Sequence, residues 1–147
     1  MKKNEQKRHI KKSYVPIAKI KNALRRIHMH DKQRGIAKAL CKIDKALFKC
    51  STEDCKIAIY EGQSEKNYLG MVDKYKDEYE VIRGKLELDH IEPVVEPKKG
   101  YADWNTYLER LYCGPEGYQG ICRDCHADKS AKEASERKEA GTLKRKK

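Results

Sequence analysis

The chain has 147 residues, of which 39% are charged and 38% hydrophobic, and its net charge is +11. This length allows one domain with short appendages, and so polar a composition leaves a small apolar core that needs help from a metal, a disulfide or a partner. The sequence has no apolar run that could cross a membrane and no secretory signal after Met1. We therefore expect a cytoplasmic protein with reduced cysteines and no membrane partner.

Positive charge is concentrated at the two ends of the chain. Residues 1–49 carry a balance of +13, residues 50–135 carry −6, and residues 136–147 carry +4. Basic ends favour a polyanionic partner such as nucleic acid, because neutralising its phosphates releases counterions. The alternative is that these ends are solvated tails. We predict phosphate contact for residues 1–49 and leave both alternatives open for residues 144–147.

The first predicted helix follows a lysine-rich arm formed by residues 1–13. Pro16 stands in the first-turn position that proline favours. Apolar residues then recur at helical spacing and basic residues lie largely on the other faces. The apolar positions are Ile17, Ile20, Leu24 and Ile27, and the basic ones are Lys19, Lys21, Arg25 and Arg26. His28 and His30 do not share a helix face, so we expect them to be exposed or next to the helix cap rather than metal ligands.

A second amphipathic helix is predicted after a break around Asp31. Its apolar residues are Ile36, Leu40, Ile43 and Leu47, and it is expected to end near Phe48. Further along, residues 57–60 alternate weakly and predict a short strand. An inserted helix is predicted within residues 62–84, ended by Gly84, with Tyr68, Val72, Tyr75 and Tyr79 near helical spacing. We expect this tyrosine face to pack on the domain; stacking on bases is the alternative.

The last third of the chain predicts two strands and two helices. Leu86 and Leu88 alternate with Glu87 and Asp89 in a strand that Pro93 ends. Residues 101–112 predict a helix with Trp104, Leu108 and Leu111 in the core. Turn residues then lead into a second strand that ends at Cys122. Residues 129–141 predict a charged helix with Ala127, Ala131 and Ala134 as its packing face.

Two cysteine pairs indicate a structural metal site. They are Cys50-x4-Cys55 and Cys122-x2-Cys125, which together offer enough thiolates for a closed tetrahedral zinc site. A redox pair would need a thioredoxin-like order of elements, which this chain lacks. Cys41 and Cys113 are interpreted as spare, with Cys113 the substitute if one ligand is misassigned.

Asp89, His90 and His126 are the candidates for a second, catalytic site. Asp89 offers the hard oxygen that Mg²⁺ or Mn²⁺ prefers, and His126 follows a zinc ligand that would fix its backbone. His90 would then act as a base, because an unperturbed imidazole is mostly neutral near pH 7 and can accept a proton from water. The alternative is that Asp89 and His90 merely end a strand and His126 caps a helix. The order and context of the three residues favour the catalytic interpretation.

These residues carry a resemblance to the HNH endonuclease family. It rests on Asp89-His90-Ile91-x-Pro93 and on Gln119-x-Ile121-Cys122-x-x-Cys125-His126-x-x-Lys129, with a phage-type segment, Trp104-x-x-Tyr107-x-Glu109-Arg110-Leu111, between them. The resemblance covers residues 48–135 and implies an α+β fold with a zinc-stapled ββα-metal, treble-clef-like unit. It also implies that Asp89 and His126 bind the catalytic ion, that His90 is the general base, and that Cys50, Cys55, Cys122 and Cys125 hold structural zinc.

Gly117 departs from the family pattern. Family members usually carry there the asparagine that gives the motif its middle letter and binds or braces the metal site. Asn105 or Glu116 could supply a polar group instead, although neither is in register. The outcome is either a working nuclease with a rearranged ligand or a degenerate unit that keeps the zinc fold. The 33 residues between Cys55 and Asp89 also exceed what compact members carry, which is consistent with an inserted helix.

The leading hypothesis is a metal-dependent endonuclease acting on double-stranded DNA, with structural Zn²⁺ and catalytic Mg²⁺ or Mn²⁺. Residues 1–49 would grip the DNA, residues 50–140 would form the nuclease domain, and residues 141–147 a basic tail. The expected nucleic-acid contacts are Lys19, Lys21, Arg25, Arg26, Arg34 and Lys129. One alternative is a degenerate HNH-like zinc module that binds nucleic acid or a protein partner; another is a zinc-stabilised transcription regulator. The likeness alone suggests a phage origin, which would place the protein in a bacterial cytoplasm.

Overall fold

The computed structural model of the protein describes residues 15–141, so the predicted arm (1–13) and the lysine-rich end (144–147) lie outside the described residues. Within this range the fold is mixed α+β, as predicted, with helices and two small sheets. None of these helices is both long and apolar enough to cross a membrane. The elements in chain order are α1 (Ile17–His28), α2 (Lys32–Leu40), β1 (Lys42–Asp44), β2 (Leu47–Lys49), β3 (Ile57–Tyr60), α3 (Glu65–Tyr75), β4 (Glu80–Arg83), β5 (Glu87–His90), α4 (Trp104–Leu111), β6 (Tyr118–Ile121) and α5 (Arg123–Ala140).

The larger sheet has the strand order β1-β2-β3-β4. The first three strands are antiparallel, whereas β4 lies parallel to β3 and is reached through the crossover helix α3. The tyrosine face of α3 packs on a core of Leu47, Ala58, Tyr60 and Val81. The predicted inserted helix is therefore present, but it ends at Tyr75 rather than at Gly84. The residues after it form strand β4.

The second predicted helix is wrong beyond Leu40. The chain leaves the helix at Cys41 and forms the hairpin β1–β2, with Ala46 at a positive φ of 55° in the turn. Ile43 and Leu47 fit helical spacing, yet both lie on strands, and Leu47 is completely buried. Leu47 pairs with Tyr60 of β3, so long-range sheet pairing overrides the local helical pattern.

The smaller sheet consists of β5 and β6 and leads directly into α5. The two strands are antiparallel, with Asp89 opposite Gln119 and His90 opposite Tyr118. Gly120 lies where a Cβ atom would approach Leu86 Cδ2 to 2.5 Å, so only glycine lets this strand lie so close to the core. The strands β5 and β6 followed by α5 form the part of the fold that carries the candidate site.

Helix α5 begins six residues before the predicted start. It therefore contains Cys125 and His126, and it ends at Ala140, followed by the capping residue Gly141 with φ of 70°. The predicted packing face is wrong, because Ala127, Ala131 and Ala134 are all exposed. The predicted core face of α4 is also partly wrong, since Leu108 is 37% exposed while Tyr107 is buried beside Leu111.

Candidate functional site

The four paired cysteines meet at one end of the β5–β6–α5 unit. Their Sγ atoms all lie within 4.8 Å of one another, and the Sγ atoms of Cys55 and Cys122 are 3.9 Å apart. In a tetrahedral site with zinc–sulfur bonds of about 2.3 Å, sulfur atoms are about 3.8 Å apart. The prediction that two distant cysteine pairs come together is confirmed. Cys41 and Cys113 are not in this group, and all six cysteines are free thiols.

The protonation of the cysteines also fits a metal site. Burial raises the pKa of the Cys50 thiol, but hydrogen bonds from the Cys122 backbone N–H and from Thr52 outweigh it and lower the pKa to about 7. Burial raises the pKa of the Cys122 thiol. Cys50 is thus the thiol of the four that loses its proton most readily, and a bound cation would displace the remaining protons. This donor set is suited to zinc.

The cysteine cluster ties the end of β2 to the start of α5. Cys50 follows β2, Cys55 precedes β3, and Cys122 is the N-cap of α5. The backbone supports the same connection, because the N–H of Ser51 donates to the carbonyl of Gly120 at 2.7 Å. A metal at this point would therefore fix the first turn of α5, where His126 lies.

Asp89, His90 and His126 line one cavity of about 300 Å³. Strand β5 contributes Asp89 and His90 at its carboxyl end, and the first turns of α5 contribute His126. Arg25 and Arg34, from α1 and the first turns of α2, line the same cavity. Two histidines, an aspartate and two arginines therefore line the same cavity.

His126 has a close carboxylate neighbour that the sequence reasoning missed. Its Nδ1 atom lies 2.8 Å from Oε2 of Glu87. This carboxylate oxygen is buried and receives no hydrogen bond from residues 15–141, so a proton on the adjacent Nδ1 of His126 would satisfy it. Glu87 precedes Asp89 by two residues and shares its strand face, and this spacing is the signal that could have identified it.

Asp89 is held by Lys129, which lies one turn beyond His126 on α5. The ammonium group donates to Asp89 Oδ2 at 2.5 Å and also to the backbone oxygen of His90. A further oxygen, Oε1 of Glu133, lies 3.6 Å from the same nitrogen. Lys129, predicted to contact nucleic acid, is thus an internal cation surrounded by three oxygens.

The ring of His90 is fixed by the end of α4. Its Nε2 atom is 2.9 Å from the backbone oxygen of Leu111. Because a carbonyl can only accept, Nε2 carries the proton and Nδ1 keeps its lone pair. Burial lowers the pKa of His90, although the Leu111 carbonyl and Asp89 act in the opposite direction. The ring is therefore neutral at pH 7 and able to accept a proton.

Gly117 leaves no room for a side chain. A Cβ atom there would lie 2.5 Å from Sγ and 2.8 Å from Cβ of Cys113. Neither Asn105 nor Glu116 lines the cavity that contains Asp89 and His126. The carboxylate that does line it, besides Asp89, is Glu133 on α5.

The basic residues of α1 have different environments. Lys19 and Arg26 are exposed. The ammonium of Lys21 lies 4.2 Å from the ring centre of Tyr101, and Arg25, although also exposed, donates its Nε–H to Tyr107 Oη at 3.2 Å. Two basic residues of α1 thus contact aromatic side chains of α4 and of the segment that precedes it.

The structure corrects the expected exposure of His28. His30 is exposed as predicted, and His28 lies next to the helix cap, but His28 is only 2% exposed. Its ring is stacked on those of His90 and Tyr118. The sequence gives no signal for this, because the residues that bury His28 lie more than sixty positions away.

No protein-family model, curated protein or solved structure matches this chain. The likeness to HNH endonucleases therefore rests on the motif residues alone.

Proposed function

We propose that this protein is a metal-dependent DNA endonuclease of the HNH type, with His90 as the general base and Asp89 and His126 as ligands of one divalent ion. The observation that carries the proposal is that these three residues line one cavity, in a chain that also has a cysteine cluster suited to zinc. A carboxylate, two imidazoles and a basic rim match the chemistry of phosphodiester hydrolysis.

The side-chain types of Asp89 and His126, a carboxylate and an imidazole, are suited to binding Mg²⁺ or Mn²⁺. An ion of this class takes one or two carboxylates, tolerates an imidazole and keeps several waters. Bound here, it would stabilise negative charge on the phosphate and the leaving oxygen. Glu133 lines the same cavity and offers a further oxygen, whereas Gly117 offers no side chain.

His90 is prepared to accept a proton from the attacking water. Its Nε2 proton is held by the Leu111 carbonyl, so Nδ1 is the acceptor. General-base catalysis by a positioned histidine contributes about 10²–10⁴-fold to such reactions. Arg25 and Arg34 on the same cavity provide positive charge for the phosphate oxygens, and the exposed Lys19 and Arg26 extend this charge along α1.

A second candidate function is a non-catalytic zinc module that binds nucleic acid or a protein partner. Two observations favour it: Asp89 is engaged by Lys129, and the position of the motif asparagine is closed by Cys113. In the proposed enzyme, the Lys129 ammonium has to move away from Asp89 when a divalent ion binds.

Nicking of supercoiled plasmid by the zinc-loaded chain separates the two functions. The assay is run with Mg²⁺, Mn²⁺ or Ni²⁺, and with His90→Ala and the control His30→Ala, whose parent residue is exposed. The endonuclease predicts nicking that His90→Ala abolishes and His30→Ala retains, with zinc content and fold unchanged. DNA binding without cleavage by any ion would support the module instead.

A further inference from the structure

The buried residue His28 belongs to α1, outside the segment that carries the motif resemblance. Its ring lies nearly parallel to those of His90 and Tyr118, with centres 5.2 Å and 5.7 Å away. The ring of Tyr112 meets it edge-on at 5.1 Å. A titratable side chain that is 2% exposed requires polar partners, because burying an unpaired polar group is costly.

These partners form a chain of hydrogen bonds that ends at the proposed base. Nε2 of His28 is hydrogen-bonded to Tyr118 Oη, and Tyr118 Oη donates to the Leu111 carbonyl at 3.2 Å. The same carbonyl accepts the Nε2 proton of His90. A carbonyl oxygen has two lone pairs, so both donors can be accepted together.

The proton positions in this series of hydrogen bonds follow from the number of protons that each group can donate. The phenol has one proton and gives it to Leu111, so Nε2 of His28 must carry a proton and donate it to Tyr118 Oη. Burial and the nearby Cys113 raise the pKa of Tyr118, which keeps the phenol protonated. The Leu111 carbonyl lies at the last residue of α4, where helix carbonyls lack an intrahelical partner and are free to accept side-chain donors.

We propose that His28 and Tyr118 are positioning residues for His90. Together they fix the Leu111 carbonyl and the plane of the His90 ring, and so hold His90 as the Nε2–H tautomer with Nδ1 free to accept a proton. This role rests on the proposed function for its catalytic consequence, whereas the tautomer itself does not depend on catalysis. With this role for His28, α1 would be part of the proposed catalytic site as well as of the proposed DNA-binding surface.

The tautomer of His90 is measured by long-range ¹H–¹⁵N NMR of the imidazoles in the full, zinc-loaded chain at a pH where the ring is neutral. The variants are His28→Leu, which removes the donor, and Tyr118→Phe, which removes a single oxygen. His28→Gln restores a side-chain N–H donor. His30→Leu, two residues further along the sequence, is the matched control. Zinc content and circular dichroism establish that each variant is folded.

We expect the Nε2–H form of His90 in the wild type and in His30→Leu, a mixture of tautomers in His28→Leu and Tyr118→Phe, and partial recovery in His28→Gln. If His28→Leu does not fold, Tyr118→Phe decides. Single-turnover cleavage should slow by about tenfold or more in the same two variants, a part of the general-base contribution, with DNA affinity unchanged. A His90 that stays in the Nε2–H form in every variant would overturn the proposal. Because this readout requires no cleavage, it also decides the matter if the chain cuts no DNA.

Discussion

Nδ1 of His126 lies 2.8 Å from Oε2 of Glu87, on the strand that also carries Asp89. A carboxylate beside one ring nitrogen favours the proton on that nitrogen and leaves the other free to bind a metal. Strand β5 thus supplies one proposed ligand directly and orients the other from α5. The pair gives Glu87 a role in the site that is independent of the family motif.

Replacing Glu87 is expected to weaken binding of the catalytic ion. Outer carboxylate partners of metal-bound histidines contribute about 10–100-fold to metal affinity. We predict that Glu87→Ala lowers Mn²⁺ affinity by about this factor in calorimetric titrations of the zinc-loaded protein, whereas Glu139→Ala, at an exposed position of α5, leaves it unchanged. Equal affinities for the two variants would exclude this role for Glu87.

If Asp89 binds a divalent ion as proposed, Lys129 competes with that ion. Its ammonium lies 2.5 Å from Asp89 Oδ2, and a cation entering the site meets that positive charge. We predict that Lys129→Met tightens Mn²⁺ binding by about tenfold at low salt, whereas Lys129→Arg keeps the charge and stays close to the wild type. If Lys129→Met leaves the Mn²⁺ affinity at the wild-type value, Asp89 is not a ligand of the ion.

The cysteine cluster is expected to supply much of the folding free energy. We predict one zinc per chain by metal analysis, cooperative unfolding on strong chelation, and an unfolded or aggregated Cys125→Ser variant. Cys113→Ser is the control, because Cys113 lies outside the cluster. A Cys125→Ser variant that folds normally without zinc would refute the structural role of the metal.

The buried His28 is expected to make the free energy of unfolding depend on pH. Burial lowers its pKa to about 4, against about 6.5 in the unfolded chain, so the unfolded state binds more protons between these values. The contribution of His28 to the free energy of unfolding is fully present above pH 6.5 and is lost as the pH falls towards 4. The loss is roughly 2–3 kcal/mol from this residue, measurable by urea unfolding at a series of pH values. In His28→Gln, the free energy of unfolding should depend less on pH between 4 and 6.5. If its slope against pH is the same as in the wild type, His28 is not the group responsible.

The sequence predicted those parts of the site that depend on residue type and spacing. The two cysteine pairs were sufficient to predict a cluster, and the alternation around Leu88 predicted a strand. The hairpin at residues 42–49 was missed because Ile43 and Leu47 also fit helical spacing, and only pairing with β3 decides between them. The contacts of His28 and of the Leu111 carbonyl were missed for a related reason. The His28 side chain bonds to Tyr118, ninety positions away, and the Leu111 carbonyl is a backbone atom, which carries no signal in residue type.

Chemical rescue of His90→Ala tests the central claim most directly. In a single-turnover plasmid-nicking assay with Mn²⁺, the variant lacks the ring whose Nδ1 would accept the proton of water. We predict that added imidazole restores cleavage by His90→Ala in proportion to its neutral form and does not accelerate the wild type. Cleavage by His90→Ala at the wild-type rate without imidazole, or no cleavage by the wild type with any divalent ion, would contradict the account.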